Sequence, residues 1–369
     1  MRVRARVSHA IYSADPDIGG RIGAYIASAA GSSLSALRRY YAASLFIINV
    51  IYKHRDWSLA AFVKLFTVFP SIVLFNLRSQ RHIFKLMKRP ALSGIAKIQP
   101  QFPFKHISEP YLAHGLTPSN RINSLVHNYN FLDENISELF LRDMVNGLIP
   151  VYDTVVNDSH YSVVIGLSGP PFKEGEMSLE LHLDGFRIFV MSFSFVNSSI
   201  IDAGSRSNSI LISRMQGGRG CFNLIKAATK DLQDTSPPHI LFAALNGVAV
   251  ALNIDFIFGT SAAKHVCGAK HNAELFQSAY DDFFKSVGAT EAVNGFFRFD
   301  VPVGNKQIEL IKRAHRSRTK KKRRFKSTIS EHARLIIQRN CRASHSLSPR
   351  DQAKGSEMPS RHELSELSR

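Results

Sequence analysis

The run Met177-Ser178-Leu179-Glu180-Leu181-His182-Leu183 alternates apolar and polar residues without a break, and Phe186-Arg187-Ile188-Phe189-Val190-Met191 follows it after only Asp184-Gly185. Successive side chains of a strand point to opposite faces, so such alternation marks a strand with two unlike faces. A two-residue Asp-Gly link between two strands signals a type I′ hairpin, whose turn positions both need positive φ. The turn then sets the pairing. One face puts Leu183 opposite Phe186, Leu181 opposite Ile188 and Leu179 opposite Val190; it is wholly apolar and expected to be buried. The other sets His182 against Arg187, Glu180 against Phe189, Glu176 against Phe193 and Glu174 against Phe195. Carboxylates opposite aromatics fit either a cleft wall or a solvated face with stray aromatics.

Further strand signals lie at Tyr161–Leu167, Ser209–Met215, Ile254–Gly259 and Phe296–Val301. Helical spacing runs over Phe222–Leu232 and Asn272–Val287, and Ile240–Leu252 is apolar almost all round, which predicts a buried helix. Upstream, Ala36–Met87 and Ser119–Leu148 read as helices around a proline-rich linker, Pro90–Pro103. This order predicts an α/β (α+β) fold: an N-terminal helical region, then a mixed, largely antiparallel sheet with packed helices. The expected organisation is a weakly ordered stretch 1–35, a helical region 36–150, an α/β core 151–310, a basic helix 311–339 and a disordered tail 340–369.

Charge divides along the same lines. The 369 residues carry a formal +18. Residues 1–105 hold 16 Lys/Arg against 3 Asp/Glu, residues 106–310 hold 14 against 21, and residues 311–326 hold 10 against none. A nucleic-acid-binding core would carry the positive charge itself. Here an anionic membrane surface or RNA would meet residues 312–326, unless that run is simply a solvated face or packs on the acidic core. Cys221, Cys267 and Cys341 have no metal spacing, which predicts a reducing compartment and no disulfide framework. The first residues lack the apolar stretch of a signal peptide. Leu59–Leu77 just reaches spanning length but carries Lys64 and Pro70, so no transmembrane segment is expected. The expected location is cytoplasmic or peripheral at the inner membrane.

Three constellations could carry chemistry. Gln216-Gly217-Gly218-Arg219-Gly220 lies between a strand and a helix, where free N–H groups suit a phosphate, although a tight structural turn needs the same glycines. In Glu174-Gly175-Glu176, alternation would put both carboxylates on one side, as a general base or metal pair or as a solvated strand edge. Tyr280-Asp281-Asp282-Phe283-Phe284 has aromatics near one helix face, either as core or with the Tyr280 hydroxyl as a proton donor. His106, His114 and His127 fit no metal motif, and no metal site is expected.

Glu174-Gly175-Glu176-Met177, Ser192-Phe193, Gln216-Gly217, Lys226, Tyr280-Asp281-x-Phe283-Phe284 and Phe299-x-Val301-Pro302, with the basic stretch His315-Arg316-Ser317-Arg318 to Phe325, together resemble the VirK/YbjX family over roughly residues 40–340. The resemblance implies a Gram-negative bacterial protein associated with virulence, cell-envelope properties and resistance to cationic antimicrobial peptides. It brings no agreed catalytic residues. Where the family usually reads Gly-x-Arg-Pro before the buried helix, this chain has Asp234-Thr235-Ser236-Pro237-Pro238. A looser similarity is to the C-terminal half of acyl-CoA-dependent GNAT acyltransferases, carried by the helix–strand–helix–strand order and by Arg214-Met215-Gln216-Gly217-Gly218-Arg219. It implies a GNAT-like fold in which Gln216–Gly220 hold acyl-CoA or another phosphate-bearing acyl donor, Glu176 is the base and Tyr280 the acid, with Glu174, Lys226 and Asp281 in support. Against this transferase stands a non-enzymatic regulatory or adaptor protein using its basic flanks.

Overall fold

The computed structural model describes residues 82–342 apart from short interruptions at 84, 93, 100, 101, 103, 104, 107–109, 170–172, 268–272, 293, 305 and 306. The expectations for 1–35, for the helices before residue 82, for the Leu59–Leu77 run and for the tail beyond 342 lie outside the described residues.

After the short helices Pro90–Leu92 and Ile95–Ile98 come two longer ones. α1 (Pro118–Asn135) starts where Thr117 accepts the Asn120 N–H and Pro118 supplies a helix-ready φ. α2 (Glu138–Asn146) is capped in the same way by Ser137. Strands β1 (Ile149–Val156), β2 (Ser159–Leu167), β3 (Met177–Leu183), β4 (Phe186–Asn197) and β5 (Asn208–Gly217) follow as an antiparallel meander. The chain then forms α3 (Phe222–Asp231) and α4 (Pro237–Ala251) and returns as β6 (Phe256–Thr260), parallel to β5. α5 has three parts: Ala273–Phe276, a π turn over Gln277–Asp282, and Phe283–Ser286. β7 (Thr290–Ala292) and β8 (Phe296–Asp300) close an eight-stranded sheet in the order β1-β2-β3-β4-β5-β6-β8-β7. The α/β class therefore stands.

The β3–β4 turn is as its residues require, with φ of 51° at Asp184 and 79° at Gly185. The register beyond it is not the expected one. Leu183 faces Phe186 and His182 faces Arg187, but then a bulge at Ile188 shifts the pairing by one. Leu181 meets Phe189, Glu180 meets Val190, Leu179 meets Met191 and Met177 meets Phe193. The apolar face is also not wholly buried, because Phe186 at the hairpin tip is 59% exposed.

α1 packs on β4, where Phe131 stacks on Phe195 and Asn128 accepts the Phe195 N–H at 2.9 Å. α4 packs on β3 and β4, and α6 (Arg313–Arg339) lies across α4. That double cover explains why α4 is apolar all round. Phe325, Ile329, Ala333 and Ile337 form the buried seam of α6 at four-residue spacing. The crossing depends on Gly247: a Cβ there would lie 2.0 Å from the Ser330 carbonyl oxygen. Past α6 the chain stays paired, the Ser137 N–H bonding the Asn340 carbonyl and the Arg342 N–H that of Asn135.

Candidate functional site

Glu174 and Glu176 precede β3 and are not part of it. Gly175 between them has φ +133°, and a Cβ there would sit 2.7 Å from the Phe193 nitrogen. This backbone, open only to glycine, breaks the alternation expected to align the two carboxylates. They enter two clusters with no shared partner.

The first cluster is closed. Glu176 is completely buried. Its carboxylate pairs with Lys105 and accepts the hydroxyls of Tyr111 at 2.5 Å and Tyr129 at 2.8 Å. Lys105 also donates to Gln99 at 3.1 Å, and Gln99 donates to the Ser168 carbonyl. Burial lowers the Lys105 pKa while Glu176 pulls it back, and burial with the nearby carboxylate raises both phenols well above their ordinary value. Such a pair persists because every charged atom is matched. Nothing in it is free to take a proton from a substrate.

The second cluster lies where β5 and β6 part. The parallel pairing ends at Ile212 opposite Gly259, yet β5 runs on to Gly217. Ser213, the next residue, is a bulge: Ile212 faces Phe193 and Arg214 faces Ser192. Bulges concentrate beside active sites, where they re-aim side chains. The hydroxyls of Ser213 and of Thr260, the last residue of β6, are buried without a hydrogen-bond partner among the described residues.

The π turn of α5 brings Tyr280 to this fork, where its hydroxyl accepts the Met215 N–H at 3.0 Å and lies 2.9 Å from His265 Nε2. His265 Nδ1 accepts the Cys267 N–H at 3.2 Å, which leaves the ring proton on Nε2, with the Tyr280 oxygen and the Ser213 carbonyl as acceptors. The phenol proton is then uncommitted. Burial, then Arg214, lowers the His265 pKa to about 4, and burial pushes the Tyr280 phenol well up. Glu174 accepts the Cys267 thiol at 3.1 Å, pairs with Arg214 Nε at 3.2 Å and lies 3.7 Å from His265 Nε2. Burial, then Glu174, raises the Cys267 thiol to about 11. Buried Glu174, His265 and Tyr280 thus form the floor, and exposed Cys267 the rim.

Glu174, His265 and Cys267 offer ligand atoms within 4.8 Å of one another, a set that could hold a metal ion. A scan by local spacing misses it because Glu174 is remote in sequence. The Arg214 guanidinium on the same carboxylate opposes a cation there.

The glycine loop leads away from this cluster. Gln216 accepts two hydrogen bonds from Arg214, at 3.0 and 2.8 Å. Gly217 and Gly218 are tightly packed, since a Cβ would lie 2.8 Å from Ile225 Cδ1 or 2.6 Å from Cys221 Sγ. Gly218 spends its N–H on the Ile188 carbonyl. Arg219 and Gly220 are exposed, Gly220 has φ +76° with open space around it, and α3 begins at Cys221 without a side-chain cap. Lys226 is exposed on α3, and Asp281 accepts the Ala262 N–H at 2.8 Å, which pins the loop after β6.

Fold and clusters define an α/β protein with one sealed ion-pair network and one polar fork that reaches the surface. A family model for proteins of unknown function, DUF535, matches residues 63–334. The chain belongs to that family, which is the VirK/YbjX family. No curated protein and no solved structure matches the chain. Among the described residues no helix is long and apolar enough to cross a membrane.

Proposed function

We propose that this protein is an acyltransferase-like enzyme that takes acyl-CoA, or another phosphate-bearing acyl donor, at the fork between β5 and β6. The observation that carries the reading is the fork itself: a parallel pair that opens beside a bulge, with two unpartnered buried hydroxyls and the Tyr280 hydroxyl at its apex. Gln216–Gly220 and the start of α3 would lie along the donor phosphates. The saturation of Glu176 moves the base to Glu174. The acceptor loses its proton to Glu174 as it bonds to the acyl carbon, the carbon–sulfur bond breaks, and the leaving thiolate takes the Tyr280 proton. Arg214 holds Glu174 in place through its ion pair at 3.2 Å. By the family resemblance, the acceptor belongs to the bacterial cell envelope, and the modification raises resistance to cationic antimicrobial peptides.

The test is thermal unfolding of the full chain with a panel of acyl-CoAs, against free CoA. At least one donor is expected to raise the Tm. Tyr280→Phe should keep the shift but lose acyl transfer by about a hundredfold or more, the usual weight of a general acid. A folded wild type with no shift across the panel would remove the proposal.

A second reading is favoured by α6. Its buried seam begins at Phe325, and Arg313, Lys320, Lys321 and Arg324 before it are exposed. This half could bind RNA or anionic membrane without catalysis, locating the protein at the inner membrane surface. Neutralising Lys320, Lys321 and Arg324 should then flatten the salt dependence of RNA binding, by about 0.7–0.9 per lost phosphate contact. An unchanged slope would leave the transferase reading alone.

A further inference from the structure

The first turns of α4, the chain around Val287 and Val303, and the inner face of α6 enclose a cleft of about 660 Å³. That lies within the range of small-molecule sites, about 300–1,000 Å³. Its charge is unbalanced in a particular way. Two acids line it, and each already holds an arginine from outside the lining. Asp234 pairs with Arg318 at 2.9 Å, and Glu331 accepts Arg334 at 2.6 and 2.8 Å. Lys322 and Arg323, and Lys326 one turn further along α6, also line it. Lys322 bonds the Asp234 carbonyl, whereas half-buried Lys326 makes no hydrogen bond or ion pair with any described residue.

Like charges gathered in a half-buried cleft repel each other. Burial, then Arg323 and Lys322, lowers the Lys326 pKa, and burial, then Lys326 and Lys322, holds His239 at about 4. The α4 N-terminus does not supply the missing partner's donors, since Pro237 and Pro238 have no N–H and those of His239 and Ile240 go to the Ser236 carbonyl. Recognition in this cleft therefore falls to the α6 cations. Phe242, Val287 and Val303 add an apolar side to the same space.

We propose that this cleft binds a phosphate ester, with its phosphate on Lys322 and Lys326 beside Arg323 and its carbon portion against Phe242, Val287 and Val303. The site shares no residue with the donor fork. A lipid headgroup and a soluble phosphate ester present the same chemistry here, and the experiment separates them.

Pyrophosphate binding to the full chain, measured by titration calorimetry, is compared for the wild type, Lys326→Gln and Lys320→Gln, the last altering an exposed lysine outside the lining. A flotation arm uses phosphatidic acid vesicles against phosphatidylcholine vesicles. Pyrophosphate is expected to bind saturably, with affinity about tenfold weaker in K326Q, the loss of one charge-assisted contact, and unchanged in K320Q. Binding to phosphatidic acid vesicles that K326Q alone abolishes would support the site and assign it to a lipid headgroup. Unaltered affinity in K326Q would place pyrophosphate elsewhere, the glycine loop included, and overturn the proposal. So would equal weakening in K320Q, or no saturable binding to either probe. K326Q should fold at least as stably as the wild type, because it removes repulsion and breaks no contact.

Discussion

One residue, Gly175, separates Glu174 from Glu176, and the two carboxylates sit at opposite ends of a range. Glu176 is sealed, its oxygens divided among an ammonium and two phenols drawn from three separate parts of the chain. Glu174 is also buried, but its partners lead outward to exposed Cys267 and to Arg214, which is only partly buried. The difference teaches where reactivity can reside. A carboxylate whose acceptors are all occupied by donors that cannot leave is part of the scaffold. A carboxylate whose partners reach solvent can exchange one of them for a substrate.

The strongest way to break this contrast is Glu176→Gln. It removes the charge that matches Lys105 and puts a neutral amide where a carboxylate faced a buried ammonium, at a cost of about 3–5 kcal/mol. The double variant Lys105→Met/Glu176→Gln should be more stable than Glu176→Gln alone, because the stranded charge goes too while the amide oxygen still accepts from one tyrosine and the amide nitrogen donates to the other hydroxyl. Urea unfolding measures both. A loss below about 1 kcal/mol in the single variant would mean that Glu176 is not locked, and the choice of Glu174 as base would lose its ground.

A smaller effect comes from histidines on the two sides. Burial holds His106, beside Lys105, at about 3, and burial with Arg214 holds His265 at about 4. Both stay neutral in the fold and take up a proton only on unfolding, near pH 6.5. The unfolded chain therefore binds more protons as the pH falls, so the stability each contributes is present above pH 6.5 and lost on the way down to its folded pKa. Each should add a slope of about 1.4 kcal/mol per pH unit between pH 6 and 4.5. His265→Asn and His106→Asn should each remove one such share. An unaltered slope in His265→Asn would mean that solvent already protonates the fork.

The hairpin turn was legible because Asp184-Gly185 states its backbone need directly. The bulge after it was not, since Ile188-Phe189-Val190-Met191 is apolar on both faces and a one-residue slip leaves no polar marker out of place. The buried helix α4 was readable from its all-round apolarity, although nothing in it says that α6 is its outer cover. Tyr280 and the glycine loop could be singled out because they are local patterns, although only Tyr280 lies at the fork. Lys105, Tyr111 and Tyr129 were missed because they join Glu176 from 71, 65 and 47 residues away. His265 and Cys267 had only a His-x-Cys spacing to offer. The one local clue to the parting of the two glutamates was the glycine between them, whose φ no other residue adopts easily.

The smallest effect on stability, and the most direct view of the open side, is expected from Glu174→Gln. Arg214 keeps its two hydrogen bonds to Gln216 when its carboxylate partner is made neutral, so the fold should lose less than in Glu176→Gln. The change should appear instead at Cys267. With its pKa at about 11, only about one thiol in a thousand is ionised at pH 8, against roughly a quarter for an ordinary cysteine. Part of that protection comes from burial and part from the negative charge of Glu174. Removing the charge should speed alkylation of Cys267 by iodoacetamide several-fold at pH 8, read by peptide mass spectrometry. Buried Cys221 serves as the internal reference and should not respond. Equal acceleration at both cysteines would indicate general loosening; an unchanged rate at Cys267 would mean that the thiol and Glu174 are not in contact, and the fork would lose the outward path that distinguishes it from the sealed pair.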